Sequence, residues 1–347
     1  MIKLPKEGCL FRVFEGQTAD NAWQKIACAF RSEHGAAVQV SRNGPTHEIL
    51  HAAISVADPR QRWVVSRNPP MNVAFALAEV VWIMAGRDDS AFLNYFNRAL
   101  PKYSGDCTNY HGAYGHRLRK KFGLDQLERA YQVLSRNPES RQIVLQIWDS
   151  AVDLPSSDGQ PTSEDIPCNI AALLKVRDGA LEWTQIMRSN DIFRGLPYNF
   201  VQFTTIQEIM AGWLNLTLGS YNHVSDSLHI YERDYDQVAP INHTPIVENT
   251  DSLALSKTEF DLVSAELERN CNAVADETLN GEALVRQIEK CALPAPYRNV
   301  LCVLSAEGAR KRKCLDCTNQ IMAICTNPAY QQLYLRWLSR FRGNEQT

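Results

Sequence analysis

Among the ten cysteines of this 347-residue chain, Cys168 has the setting of a nucleophile. It follows Pro167 in the stretch DIPCN (165–169), where a segment of strand character begins, so the backbone presenting the thiol is stiff. A cysteine attacks as the thiolate, and a guanidinium nearby lowers its pKa. Arg188 and Ser189 lie on a second strand, joined to the first through Asp178-Gly179, a strong short-hairpin signal that would fold the charge back toward Cys168. Taken alone, the two residues read more readily as a core thiol and a surface ion-pair partner. Glu79 is the only ionisable residue in the apolar stretch MNVAFALAEVVWIMA (71–85). Burial there would raise its pKa and suit it to carrying a proton, or it anchors the helix by a hydrogen bond. His229 and Tyr231 are two residues apart in a strand and share a face. Cys314-x-x-Cys317, with Cys302 and Cys325 nearby, has half the spacing of a metal clip. No second CxxC or histidine pair completes it, so no metal is expected. Lys311-Arg312-Lys313 reads as a solvated face.

Several elements must position these groups. Apolar spacing predicts helices at about 16–31, 71–85, 124–134 and 200–211, with the second buried on several sides. Strand character marks 36–50, which turns at Asn43-Gly44-Pro45, then SRQIVLQIWD, the hairpin 170–191 and LNLTLGSYNHVSDSLHIYERD. Long helices beside hairpin-connected strands imply an α+β fold with a mixed sheet and a buried central helix. After about Ser256 the periodicity becomes helical, at 259–273, 281–293, 297–304 and 328–341. A catalytic domain over residues 1–260 and a helical extension over 261–347 are expected.

Composition is that of an ordinary globular protein, 22% charged and 45% hydrophobic, with a net charge of −3. That balance argues against a nucleic-acid coat, and no direct nucleic-acid partner is expected. No apolar run reaches the roughly 20 residues of a bilayer span. The first fourteen residues lack the continuous apolar stretch of a secretory signal. Reduced thiols and a cytoplasmic location are expected, in the host if a phage encodes the chain.

The stretch RSNDIFRGLPYNF (188–200) resembles the signature of thymidylate synthases, in which Arg-Ser, Asp, Gly-Leu-Pro and aromatic-Asn recur in this order. DSLHIYERD resembles that family's His-x-Tyr element, with His229 thirty residues after Asn199. SRNGPT resembles its phosphate-gripping loop, LAEVVWIMAGRDD its glutamate-bearing helix, GAYGHRLR its Tyr-Gly segment and NPESRQIVLQIWD its Ser-Arg-Arg strand. The likeness runs collinearly over about 38–260.

The resemblance implies that Cys168 adds to C6 of a pyrimidine deoxynucleotide and makes C5 a nucleophile toward 5,10-methylenetetrahydrofolate. It implies that Arg42, Arg188 and Ser189 hold the phosphate of dUMP. Arg141 would reach the partner's phosphate across a homodimer, while Gln142 replaces the family's second trans arginine. Asn199 would read the base edge, favouring uracil if neighbouring bonds keep its amide from flipping. His229 and Tyr231 would bind the sugar 3′-hydroxyl. Glu79 and Tyr114 would be catalytic, and Asp191, Gly195 and Tyr198 would contact the folate.

Three departures bear on the product. Asn169 stands where synthases have histidine after the nucleophile. Leu100 falls near their folate-stacking tryptophan. The chain runs on into helices and ends SRFRGNEQT, unlike the synthases' apolar lid. A site lacking that tryptophan and lid should admit water to the methylene formed at C5, as in nucleotide hydroxymethylases, several of which serve phages with modified DNA bases. The expected activity is therefore a deoxyuridylate hydroxymethylase. Thymidylate synthase itself and a catalytically silent nucleotide-binding module are the alternatives.

Overall fold

The computed structural model describes residues 11–32, 36–41, 44–238 and 247–342. It opens with β1 (Arg12–Gly16), which the sequence pattern does not reveal, and α1 (Ala19–Arg31). Thr18 caps α1 by accepting from the backbone of Asn21, and Trp23, Ile26, Ala27 and Phe30 form its buried stripe. The expected strand at 36–50 is two strands, β2 (Ala37–Ser41) and the long β3 (Gly44–Val56). Next come α2 (Val73–Met84), the short α3 (Ser90–Phe96), α4 (Pro101–Ser104) and α5 (Tyr114–His116), a π-helical turn at Arg117–Lys121, and α6 (Gln126–Arg136). SRQIVLQIWD contributes only β4 (Val144–Gln146), the last strand on its side of the sheet, followed by α7 (Ser150–Asp153).

β5 (Asn169–Arg177) and β6 (Ala180–Asp191) form the expected hairpin. Asp178 and Gly179 both have positive φ, 51° and 74°, as a tight turn matching strand twist requires. α8 (Leu196–Trp213) starts earlier than expected, with Pro197 in its first turn, where a missing N–H costs nothing. β7 (Thr217–Tyr231) completes the sheet. The strand order is β1-β3-β7-β6-β5-β4, with β2 beside β3. β1–β3 and β6–β7 are parallel and the other pairs antiparallel, so the α+β fold with a mixed sheet is observed.

The remaining elements are helical: α9 (Lys257–Ala275), α10 (Gly281–Lys290), α11 (Ala295–Lys311), α12 (Leu315–Ile324) and α13 (Pro328–Arg342). The boundary expected at 260 falls inside α9. α8 packs on β6 and β7, and α2 packs on α8. α9, α11 and α13 then pack on α2. Every residue of α2 except Glu79 is buried, because the helix has neighbours all round. Cys314 and Cys317 are joined as a disulfide, their Cα atoms 5.4 Å apart, so the expectation of reduced thiols throughout does not hold. Two cysteines three apart at the start of α12 lie within bonding reach. No helix among the described residues is long and apolar enough to cross a membrane.

Glu208, buried in α8, ties the segment before α2 to the segment before α9. It meets Arg62 at 2.5 Å and Arg60 at 3.1 Å, and accepts from Ser252 at 3.1 Å. Burial would raise its pKa, but Arg62 and then Arg60 hold it below the usual carboxyl range. Glu208→Ala strands the Arg62 guanidinium inside the protein and should cost about 3–5 kcal/mol in urea unfolding. A loss under about 1 kcal/mol would show that the pair is not desolvated.

Candidate active site

Cys168 sits immediately before β5 and is partly exposed. The hairpin brings Arg188 to it. The Arg188 backbone N–H donates to Cys168 O at 2.9 Å, its Nε to Pro167 O at 3.0 Å, and its Nη2 to Ile166 O at 3.3 Å. Nη2 lies 3.8 Å from Cys168 Sγ, and the guanidinium packs 5.6 Å from the Trp148 ring centre. One cation thus holds the backbone leading into Cys168 and stands beside its sulfur.

Tyr114, at the start of α5, faces the same space. Burial pushes its hydroxyl well above the usual phenol range, and the charges of Cys168, Asp165 and Glu79 add to this while Arg188 opposes it. Asp165 pins the loop before Tyr114 by accepting from Gly112 N at 2.7 Å.

Glu79 Oε2 is buried without a hydrogen-bond partner, although part of the side chain is exposed. Burial raises its pKa from 4.5 to about 8, against an opposing hydrogen bond with Gln202. Gln202 Oε1 accepts from Asn199 Nδ2 at 3.0 Å. The run Asn199–Gln202–Glu79 leaves Asn199 Oδ1 as a buried acceptor with nothing to accept from. Gln202 escaped the sequence reading. Its signal was the spacing of three from Asn199, which puts both on one helical face.

β6 and β7 bring the next group together. Ser189 Oγ lies 3.4 Å from His229 Nδ1, and the Tyr231 ring stands edge-on to His229 at 5.6 Å. Asp191 pairs in register with His229. Its Oδ1 accepts from Phe193 N at 2.7 Å and Arg194 N at 2.9 Å, and its Oδ2 is buried and unpaired. Burial raises the Asp191 pKa, and His229 opposes the rise. Gly195 caps α8 where a Cβ would lie 2.7 Å from Asn190 Oδ1, so a side chain does not fit. Tyr198 OH accepts from Asn72 N at 3.1 Å, and its ring meets Phe75 at 5.3 Å. Asp191 Oδ2, buried without a partner among the described residues, is an acceptor of the kind a pterin N–H requires, so it fits a folate.

Two candidates stand apart. Arg42 lies outside the described residues. Arg141 is exposed between α6 and β4 and makes no ion pair among the described residues. Leu100, at the start of α4, is half-buried against the core.

The Glu79 shift has a measurable sign. Between about 4.5 and 8 the folded chain keeps the Glu79 proton while the unfolded chain has lost it, so wild-type stability falls as pH rises through that window. Glu79→Gln removes this loss. In urea unfolding at about pH 5 and pH 8, the variant should decline less than wild type, by on the order of 1–3 kcal/mol. Equal declines would contradict the shift.

A thymidylate synthase family model matches residues 41–272, two thirds of the chain. The chain is 36% identical over 199 residues to a deoxyuridylate hydroxymethyltransferase of Bacillus phage SP01, covering 54% of this chain and 51% of that protein. It is 34% identical over 204 residues to a deoxyuridylate hydroxymethyltransferase of Pseudomonas phage M6, covering 58% and 57%. It is 25% identical over 225 residues to a putative thymidylate synthase of Methanothermobacter thermautotrophicus, covering 64% and 94%. The chain spans about half the length of the phage relatives it matches. The family model's match across two thirds of the chain shows that this chain belongs to the thymidylate synthase family.

Proposed function

We propose that this chain transfers a one-carbon unit to C5 of dUMP and releases 5-hydroxymethyl-dUMP. The observation that carries the substrate is the orphaned Asn199 Oδ1. Uracil offers an N3–H to such an acceptor and cytosine does not. The amide is kept from flipping because Nδ2 is committed to Gln202, which is itself bonded to Glu79. Arg188, Ser189 and Arg42 hold the phosphate, and His229 and Tyr231 the 3′-hydroxyl.

Cys168 forms the bond to C6, with Arg188 favouring its thiolate. 5,10-Methylenetetrahydrofolate, held by Asp191, Gly195 and Tyr198, supplies the carbon. Glu79, protonated near neutral pH, and Tyr114 move protons at the base. Whether the new carbon ends as methyl or hydroxymethyl depends on whether water reaches it. Leu100 in place of a stacking tryptophan, Asn169 after the nucleophile and the names of the phage relatives support the hydroxymethyl product.

In water labelled with heavy oxygen, the expected products are tetrahydrofolate and a labelled 5-hydroxymethyl nucleotide. Dihydrofolate forming in step with unlabelled thymidylate would make the chain a synthase. Failure of Cys168 to form any adduct with a 5-fluoro-deoxyuridylate and folate would leave a binding module.

Arg141, exposed and without an ion pair among the described residues, is proposed to complete the phosphate site of a second copy. Mixing Cys168→Ser with Arg141→Ala protein under subunit exchange should then restore activity, because one site of each heterodimer keeps both groups. An active protein that sediments as a monomer would refute the shared site.

A further inference from the structure

Asn169 follows Cys168 directly and is fully buried, yet its Nδ2 has no hydrogen-bond partner among the described residues. The orientation of that amide is forced. Trp183 Nε1 can only donate, and it donates to Gln185 Oε1 at 3.0 Å. Gln185 Nε2 is therefore the end facing β5, where it donates to Ala171 O at 2.9 Å and to Asn169 Oδ1. With Oδ1 occupied, the amide N–H groups are what Asn169 has left to offer. Leaving a buried donor unpaired costs roughly 1–3 kcal/mol, so such a group calls for a ligand or a water.

The location narrows the choice. Gln185 pairs with His223 across β6 and β7, and the Phe200 ring lies 6.3 Å from His223. This face of the sheet therefore lies under the early turns of α8, the helix that carries Asn199. The unpaired donor is one residue from the nucleophile and beneath the helix carrying the candidate base reader.

We propose that Asn169 Nδ2 donates to O4 of the pyrimidine as negative charge develops there. The proposal rests on the uracil reading above. As Cys168 Sγ bonds to C6, the C5–C6 π pair moves toward C5 and O4, giving an enolate. No proton leaves Asn169. A donor already held in place by Gln185 and Trp183 stabilises that charge without reorganising, and removing one such donor typically lowers the rate about 10²–10³-fold. Asn169 is then a catalytic residue, and Gln185 positions it.

The test isolates the addition step from folate. With 5-bromo-dUMP and dithiothreitol, addition of Cys168 to C6 allows C5 to be protonated. Dithiothreitol then removes the bromine, C5–Br becomes C5–H, bromide and a proton leave, and the dithiol becomes its cyclic disulfide. Asn169→Leu keeps the side chain's volume but deletes the donor, and Asn169→Ala deletes the whole group. Both should slow debromination about 10²–10³-fold while the dUMP Kd changes less than about tenfold, because the neutral carbonyl needs the donor less than the enolate does. Asn169→His, which restores an N–H, should recover most of the rate. Debromination by folded Asn169→Leu within about threefold of wild type would overturn the proposal. In the unsubstituted protein, the Asn169 side-chain amide signal should move downfield on dUMP binding, and an unmoved signal would overturn it equally. Debromination that survives Cys168→Ser, or is absent from wild type, would instead defeat the functional reading.

Discussion

A carboxyl group placed inside an otherwise apolar helix constrains everything around it. Glu79 cannot be hydrated on Oε2, so its neighbours decide its protonation and direction. Gln202 supplies one hydrogen bond and Asn199 continues the run. In such a low-dielectric setting each hydrogen bond is stronger and each omission is costly. The same run that adjoins the raised carboxyl of Glu79 therefore also sets the direction of the Asn199 amide.

The sheet contributes the second half. Because β5 and β6 turn through only two residues, Arg188 is held against the residues leading into Cys168, and its three donors secure Ile166, Pro167 and Cys168. The charge beside the sulfur is then fixed by backbone hydrogen bonds rather than by a mobile side chain. Around this point four buried polar atoms, on Glu79, Asn169, Asp191 and Asn199, lack partners among the described residues. A folded protein rarely leaves such groups unpaired, and their chemistry (an acid, a donor and two acceptors) matches a pyrimidine and a pterin.

The C-terminal helices matter to this site through α2. They cover the side of α2 that α8 leaves open, and they carry polar ties of their own. Glu307, buried in α11, meets Arg310 at 2.7 Å and accepts from Trp337 Nε1 of α13 at 3.2 Å. Arg312 donates to Tyr95 OH of α3 at 2.7 Å. α3 in turn receives Asn72 Nδ2 at Phe96 O, and Asn72, the cap of α2, bonds Tyr198. The helices thus bear on the start of α2 and on Tyr198 without contributing a candidate site residue.

The sequence by itself determined the local features. The Asp-Gly hairpin, the apolar helix with one glutamate, the α+β class and the ordered motifs of a known family follow from residue type and spacing, which act over a few positions. Short elements were not legible: β1 needs β3 beside it to be a strand, and α3 and α4 are too brief for a period to show. Nor could spacing show that Cys314 and Cys317 are bonded, since a thiol pair at a helix start serves reduced, oxidised and metal-bound states alike. The tertiary structure decided which polar atoms are satisfied. Asn199 and Asn169 are symmetrical amides in the sequence, and only Gln202 and Gln185, brought from other turns and strands, make one an acceptor and the other a donor. Direction in a hydrogen-bond network belongs to the assembled neighbours, so it appears only once the chain has folded.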